Sequence, residues 1–423
     1  MRDRFRLLIL LTIWIVIQVS CSSQKVNQIS SDRLYKKNSN ELNSKYLIYH
    51  INDTISQLFY DISNELIIYK KTDTSNYFYS DIKISIHISL EDNITVVNDT
   101  TSVTIKDRQS NVDMKQLKGS LFFYLKSGYN YYLDIHVFDN NKKTKYTSSL
   151  FSNKTTIDNR QNFLITNTSN SVFFDSHFKP EEIVYIFSER HQEKSFTVDY
   201  FKSKFNLAIP PFSSEHIPRY SYKPDSTFTV YKRDNKLELV LPTNGFYHVK
   251  TNEQTKDGVT FFIYEPSYPK IKNAEQMILS TRYIMAKKEF DNCMNAADKK
   301  MAIDNFWLDL GGSDERAKEL IRKYYGRVQD ANKLFTSYQE GWKTDRGMIY
   351  IVFGAPNKVL KRKNGEVWTY GQVGDQATNY FQFIKVINPL TDNDFLLERN
   401  DIFKMPWYQA VDLWRQGKIY LDN

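Results

Sequence analysis

The chain has few of the residues that carry chemistry in enzymes. It contains 423 residues, of which only two are cysteines and seven are histidines. None of the histidines lies beyond His248, which excludes a His-ligated metal and a His-assisted nucleophile from the C-terminal part. Glycine-rich phosphate loops are absent, and Gly311-Gly312 is typical of the end of a helix. We therefore predict a non-enzymatic protein without cofactor or metal.

A strong excess of one charge is also absent. Lys and Arg number 57 and Asp and Glu 49, so the formal net charge is +8. So small a surplus over this length does not indicate nucleic-acid binding. Hydrophobic residues at 41% and charged residues at 25% exclude global disorder and a polytopic membrane protein. The length predicts two to four domains, and 29 Tyr and 28 Phe against 14 Gly favour β-structure.

The N-terminus is typical of a secretory signal peptide over residues 1–20. Three arginines precede the apolar run Leu7–Ile17, which is too short to span a bilayer well. The following Val19-Ser20-Cys21 resembles the lipobox of bacterial lipoproteins, although Gln18 departs from it. That resemblance implies that Cys21 is acylated and becomes the new N-terminus. The alternative is a secreted chain, or one held by an uncleaved anchor.

The residues after Cys21 indicate to which membrane the predicted lipoprotein is sorted. Ser22 stands where an Asp would be a retention signal, and no acidic cluster follows. By resemblance to lipoprotein sorting rules, this implies the outer membrane and its periplasmic face. Loss of residues 1–20 removes three Arg and one Asp, which lowers the net charge from +8 to +6. Cys293 is then the remaining thiol, and we expect it to be a small core residue.

The mature chain divides by the period of its hydrophobic pattern. Residues 21–44 are polar and predict a lipidated N-terminus and flexible tether. Residues 45–155 alternate with a period of two, which predicts an immunoglobulin-like β-sandwich, and 156–268 predict a second one. Beyond 270 the period becomes 3.6, with helices expected over Ala274–Glu289, over Asp298–Leu310 and after Ser313. Residues 270–423 therefore predict an α+β domain of helices and a small antiparallel sheet.

One motif of this last region is specific. Gly341-Trp342-Lys343-Thr344-Asp345-Arg346-Gly347 precedes a predicted strand over Met348–Phe353, then Gly354-Ala355-Pro356. An Asn364-Gly365 turn predicts a hairpin between Lys358–Lys363 and Glu366–Tyr370, where Glu366 is interpreted as a hairpin charge.

This stretch resembles the GWxTD domain of Bacteroidetes and related bacteria over about residues 270–420. The residues that carry the resemblance are Gly341, Trp342, Thr344, Asp345, Arg346, Gly347, Gly354, Pro356, Trp368 and Tyr370. It implies no known reaction. A looser resemblance is to the small lipoprotein of the β-barrel assembly machinery, which has a comparable G-x-P and W-x-Y pattern.

Two interpretations of the motif remain open. Asp345-Arg346 is either a buried pair that stabilises a turn or part of a site. If the motif binds a partner, Trp342, Arg346 and Tyr350 are the types enriched in interaction hot spots. The aromatic C-terminus around Trp407 and Trp414 predicts a helix packed on the core, with an exposed patch as the alternative.

These observations predict an outer-membrane lipoprotein that serves as an accessory or scaffold subunit of an envelope complex. The specific expectation is a machine for outer-membrane protein assembly or secretion, with a barrel or other envelope proteins as partners and no nucleic acid. The alternative is a glycan- or peptidoglycan-binding module, and a hydrolase using Asp345 ranks third.

Overall fold

The computed structural model describes residues 29–31, 35, 42–71, 76–93, 96–202, 205–215, 221–362, 364–371 and 378–418. The predicted signal peptide and Cys21 lie outside the described residues. Within the described ranges, no helix combines the length and the apolar character that a membrane span requires.

The first β-unit consists of two antiparallel sheets packed face to face. Its strands, preceded by an N-terminal strand β1 over Ile29–Ser31, are β2 Ser44–His50, β3 Ile55–Ser63, β4 Lys70–Lys71, β5 Phe78–Leu90, β6 Asp99–Gln109, β7 Gln116–Tyr124, β8 Asn130–Asp139 and β9 Thr144–Asn153. One sheet has the order β2-β3-β7, and the other has the order β4-β5-β8-β9 with β6 also paired to β5. The alternating Ile82, Ile84, Ile86 and Ile88 are at most 1% exposed and face the opposite sheet, so the predicted two-sheet packing is confirmed.

The second β-unit repeats this arrangement with its own core. Its strands are β10 Leu164–Thr166, β11 His177–Phe178, β12 Glu182–Phe187, β13 Ser195–Phe201, β14 Ser226–Tyr231, β15 Leu237–Leu241, β16 Gly245–Lys250 and β17 Val259–Ile263. A three-stranded sheet β10-β12-β15 packs on a five-stranded sheet β11-β17-β16-β13-β14, in which β11 and β17 are parallel and the other pairs are antiparallel. All residues of β16 and β17 are buried, because both faces of these strands are covered. Phe246 and Phe262 point away from the sandwich core and pack with Leu390 of the C-terminal region.

The C-terminal unit combines helices with one antiparallel sheet. The helices are α1 Ala274–Thr281, α2 Lys287–Asn295, α3 Lys299–Gly311, α4 Asp314–Phe335, α5 Asp345–Phe353 and α6 Lys404–Arg415, and the strands are β18 Lys358–Arg362, β19 Gly365–Tyr370, β20 Asn379–Lys385 and β21 Phe395–Leu397. The sheet has the order β1-β18-β19-β20-β21, so the N-terminal strand β1 forms its first edge. The predicted fold class, β-rich followed by α+β, is confirmed.

Two predicted elements of this unit are wrong. Met348–Phe353 was expected to be a strand and is part of α5, because Thr344 caps a helix there and every residue of that helix is buried. A short run that is apolar all round carries no period that separates a buried strand from a buried helix. The helix expected over Ala274–Glu289 is two helices, since Thr281 bonds back to the Met277 carbonyl and Glu289 caps a new start at Ala286.

The predicted tether over 21–44 also differs from the structure where it is described. Ile29–Ser31 form a strand on β18, and the Tyr35 hydroxyl bonds to Glu366, so these residues contact the C-terminal unit. The other residues between 21 and 41 lie outside the described residues. For them the tether stays a prediction.

Candidate functional site

Thr344 determines where α5 begins. Residues Gly341–Lys343 form one turn of 3-10 helix, and the extended backbone of Thr344 separates this turn from α5. The Thr344 hydroxyl accepts a hydrogen bond from the Gly347 amide at 3.0 Å and donates one to the Gly341 carbonyl at 2.7 Å. This side chain therefore satisfies one free amide of the helix and joins it to the preceding turn.

Gly341 and Gly347 allow three backbone segments to approach one another closely. A Cβ atom on Gly341 would lie 1.9 Å from the Ala331 carbonyl oxygen of α4. A Cβ atom on Gly347 would lie 1.8 Å from the Gly341 carbonyl oxygen. Because backbone atoms lie on both sides, no side-chain rotation could relieve either overlap. The two glycines are thus required by packing.

Trp342 lies inside the C-terminal unit and is 1% exposed. Its backbone amide donates to the Asn332 side-chain carbonyl at 3.2 Å, and its carbonyl accepts from the Tyr283 hydroxyl at 2.8 Å. The Asn332 amide group also donates to the Pro269 carbonyl, in the segment that leaves the second sandwich. The tryptophan thus joins the turn before α5 to α4 and to the domain boundary.

Both carboxylate oxygens of Asp345 have partners. Oδ2 accepts from the Leu397 amide at 2.8 Å and from Arg399 Nη1 at 3.1 Å, and Oδ1 accepts from Arg399 Nη2 at 2.5 Å. The Asp345 side chain is 4% exposed. Arg399 also donates to the Ile209 carbonyl, which belongs to a loop of the second sandwich. The carboxylate therefore connects α5, β21 and this loop.

Arg346 is held by aromatic rings and by Asn393. Its guanidinium lies 3.8 Å from the Phe395 ring centroid and 5.2 Å from that of Phe335. It donates to the Asn393 carbonyl at 3.0 Å and lies 3.6 Å from Glu366 Oε1. Asp345 and Arg346 are therefore not paired with each other, and each is bound to a different element.

Glu366 belongs to this site, although the sequence was interpreted as placing a surface charge there. It is 5% exposed and accepts from Trp368 Nε1 at 2.9 Å and from the Tyr35 hydroxyl at 2.9 Å. Burial and the Glu366 charge raise the pKa of Tyr35, so the phenol stays protonated and acts as the donor. A sequence signal existed, because Glu366, Trp368 and Tyr370 alternate and must share one face of β19.

The remaining predicted residues complete the same buried block. The Tyr370 hydroxyl donates to the Gly354 carbonyl at 2.7 Å, just beyond the end of α5. Pro356 is buried, and the Tyr350 hydroxyl donates to the Tyr35 carbonyl at 3.3 Å. The structure thus brings all the predicted motif residues together, but as packing and hydrogen-bonding partners inside the unit. A direct partner contact by Trp342, Arg346 or Tyr350 stays a prediction, and their exposures of 1%, 3% and 5% leave little surface for it.

Sequence reasoning assigned no role to several partners of the motif, among them Arg399 and Tyr35. These two residues carry no local signal. They lie 54 residues after Asp345 and 331 residues before Glu366, respectively. Only the tertiary structure brings them to these carboxylates.

Two of the histidines lie in buried networks away from the C-terminal unit. Burial and the nearby Lys154 charge lower the pKa of His50 to about 4. Burial likewise lowers the pKa of His248 to about 4, and its ring nitrogens contact the Thr260 hydroxyl and the Lys256 carbonyl. Cys293 is a buried core residue. In the part of the chain that the structure describes, no three His, Cys, Asp or Glu side chains group as a metal site would require.

An open cleft lies at one end of the first sandwich. It encloses about 330 Å³ and is lined by Ile88, Leu90, Asn98, Asp99, Tyr124, Leu125, Lys126, Tyr129 and Tyr131. Tyr124 and Tyr129 are 55% and 46% exposed, so their rings are accessible to a ligand. Asn98, Asp99 and Lys126 add polar groups to the cleft. Rings beside hydrogen-bonding groups suit a ligand with apolar faces and hydroxyls.

Residues 245–416 match the family model of the GWxTD domain. The match includes all the motif residues named above and begins in β16, inside the second sandwich. It therefore contains the contact between β16, β17 and the C-terminal unit. A comparison with curated proteins gives no match.

Proposed function

We propose that this chain, whose residues 245–416 match the GWxTD domain model, is a non-enzymatic accessory or scaffold subunit of an envelope complex. The complex is one for outer-membrane protein assembly or secretion, and the chain is held to the outer membrane by lipid on Cys21. The observation that carries the non-enzymatic role is the occupation of both Asp345 oxygens by Leu397 and Arg399. A hydrolase would need that carboxylate free to activate water.

A surface suited to a protein partner lies on the outer face of the C-terminal sheet. Phe381 and Phe383 of β20 face the core, so their neighbours along the strand face outwards. Tyr380, Ile384 and Leu396 are 48%, 43% and 44% exposed there. Ile384 and Leu396 lie directly opposite each other in the ladder between β20 and β21. An exposed apolar strip on a sheet is a usual feature of a protein interface.

The test is isolation of the complex from gently solubilised membranes by blue-native separation, with identification of its partners. We expect the wild-type chain to migrate with a barrel-containing complex, and Ile384→Lys to release it while its unfolding midpoint is unchanged. Val240→Lys is the matched control, since Val240 is a strand residue of the second sandwich with 47% exposure. Recovery of the wild-type chain as a monomer would exclude the proposal, as would equal effects of the two variants.

The tyrosine-lined cleft supports glycan binding as a second candidate function. We expect peptidoglycan fragments to bind there with the faces of their sugar rings on Tyr124 or Tyr129. Tyr129→Ala should then weaken binding by about tenfold, since one ring contact contributes up to about 1.5 kcal/mol. Calorimetry with soluble fragments measures this. Tyr231→Ala, which alters a tyrosine 67% exposed on the second sandwich, should bind as the wild type does. Failure of the unaltered chain to bind would exclude this candidate.

A further inference from the structure

The N-terminal strand β1 forms an edge of the sheet in the C-terminal domain. Ile29, Ser30 and Ser31 pair antiparallel with Lys361, Leu360 and Val359 of β18. An edge strand presents unpaired amides and carbonyls, and β1 satisfies them along this part of β18. The first described residues of the chain thus extend the sheet of its last domain.

Tyr35 fills a specific socket in the same domain. Its ring centroid lies 5.0 Å from that of Phe335 and 5.1 Å from that of Trp368. Its hydroxyl lies 2.9 and 3.0 Å from the two oxygens of the buried Glu366 carboxylate, and its carbonyl accepts from Tyr350. A phenylalanine could fill the ring space, but it would leave the carboxylate without this donor. The socket therefore recognises the phenol of Tyr35.

The position of β1 limits the distance from the predicted anchor to the C-terminal domain. Only residues 22–28, seven residues, separate Cys21 from Ile29. A fully extended segment of that length spans about 25 Å. If the whole stretch 22–43 were a free tether, its 22 residues could span about 75 Å. The first sandwich would then be the part joined directly to the membrane.

We propose that β1 (Ile29–Ser31) and Tyr35 form a strap that holds the GWxTD domain within about 25 Å of the membrane surface. The domain farthest from the anchor in sequence is then held near the membrane. The distance to the membrane rests on the lipidation of Cys21, which is part of the proposed function. The contacts of the strap with β18 and Glu366 do not depend on lipidation.

Disulfide trapping tests the seating of the strap. Residues opposite each other in an antiparallel pair have Cα atoms about 4.5–5.5 Å apart, which a disulfide can bridge. In the full chain with Cys293→Ala, Ser30→Cys with Leu360→Cys should oxidise to a bridge found in most molecules by peptide mass. The matched control is Ser30→Cys with Leu396→Cys, on the opposite edge of the same sheet. Equal or absent bridging in the two pairs would overturn the proposal.

Energy transfer tests the position of the domain. A dye at Ile387→Cys, a site 97% exposed in the C-terminal domain, is paired with acceptor lipids in vesicles that carry the lipidated chain. We expect strong transfer for the chain with Tyr35, and at least a twofold loss for Tyr35→Ala. Transfer that is unaffected by Tyr35→Ala would overturn the strap as the positioning element.

The two measurements separate the possible failures. If Cys21 is not lipidated, no variant shows transfer and the chain leaves the membrane fraction, while the bridge between positions 30 and 360 still forms. If the strap is wrong, the chain stays in the membrane fraction and the bridge does not form.

Discussion

Replacing Asp345 with Asn is expected to lower the free energy of unfolding of the C-terminal domain by about 3–5 kcal/mol. The substitution removes the charge that neutralises Arg399 and replaces one acceptor oxygen by a donor facing the Leu397 amide or Arg399. A buried charge that loses its partner carries its full desolvation cost. Tryptophan fluorescence in urea measures this domain selectively, because five of the six tryptophans lie beyond residue 300 and the sixth, Trp14, lies in the predicted signal peptide.

Asp304→Asn is the control for this prediction. It removes the carboxylate of an exposed ion pair with Lys300, whose two side chains are 40% and 60% exposed. Such a pair contributes at most about 0.5 kcal/mol. The double variant Asp345→Asn with Arg399→Gln should cost less than the sum of the two single changes, because both act on one interaction. An unchanged midpoint for Asp345→Asn together with lost function would instead indicate chemistry or direct partner contact at this carboxylate.

Gly347→Ala is expected to lower the free energy of unfolding of the C-terminal domain by about 3 kcal/mol or more. Tryptophan fluorescence in urea measures this change as well. The added methyl group would lie 1.8 Å from the Gly341 carbonyl oxygen, so α5 or the preceding turn would have to move. Such a movement would disturb the Thr344 cap and the Trp342 contacts with α4. Circular dichroism should still report the two β-sandwiches, whose cores contain no residue of this motif.

Gly326→Ala, in the same domain, is expected to change the stability in the opposite direction. Gly326 lies inside α4, and nothing lies within 4 Å of the position that its Cβ atom would take. Alanine in a helix interior is favoured over glycine by about 0.5–1 kcal/mol, so this variant should be more stable than the wild type. Destabilisation of similar size by both glycine variants would show that close packing at Gly347 is not the cause.

Local patterns predicted much of the architecture. The alternating isoleucines of β5 indicated a half-buried strand, and the structure buries all four of them. The helical period predicted a helix after Ser313, and α4 begins there with Ser313 as its N-cap. These elements are predictable because each has one apolar face, and the period of that face depends only on local backbone geometry.

Where a segment is buried on all sides, the same reasoning fails. Met348–Phe353 is apolar throughout, and only the Thr344 cap and the surrounding helices determine that it is helical. For the candidate site, the sequence indicated which residues assemble but not what they bind. Asp345 and Arg346 are neighbours in the chain, yet one is paired with Arg399 and the other with Asn393.

The sequence alone therefore determined the order of the modules, the family of the C-terminal domain and the residue types of its motif, because these follow from periodicity and short-range spacing. Only the tertiary structure decided that the motif residues are buried and connect several elements inside the C-terminal domain, and that Glu366 is buried with them. It also decided that the N-terminal segment binds the last domain. Tyr35 and Glu366 are 331 residues apart, and no local pattern can encode a contact whose free energy arises when a carboxylate and a phenol are buried together.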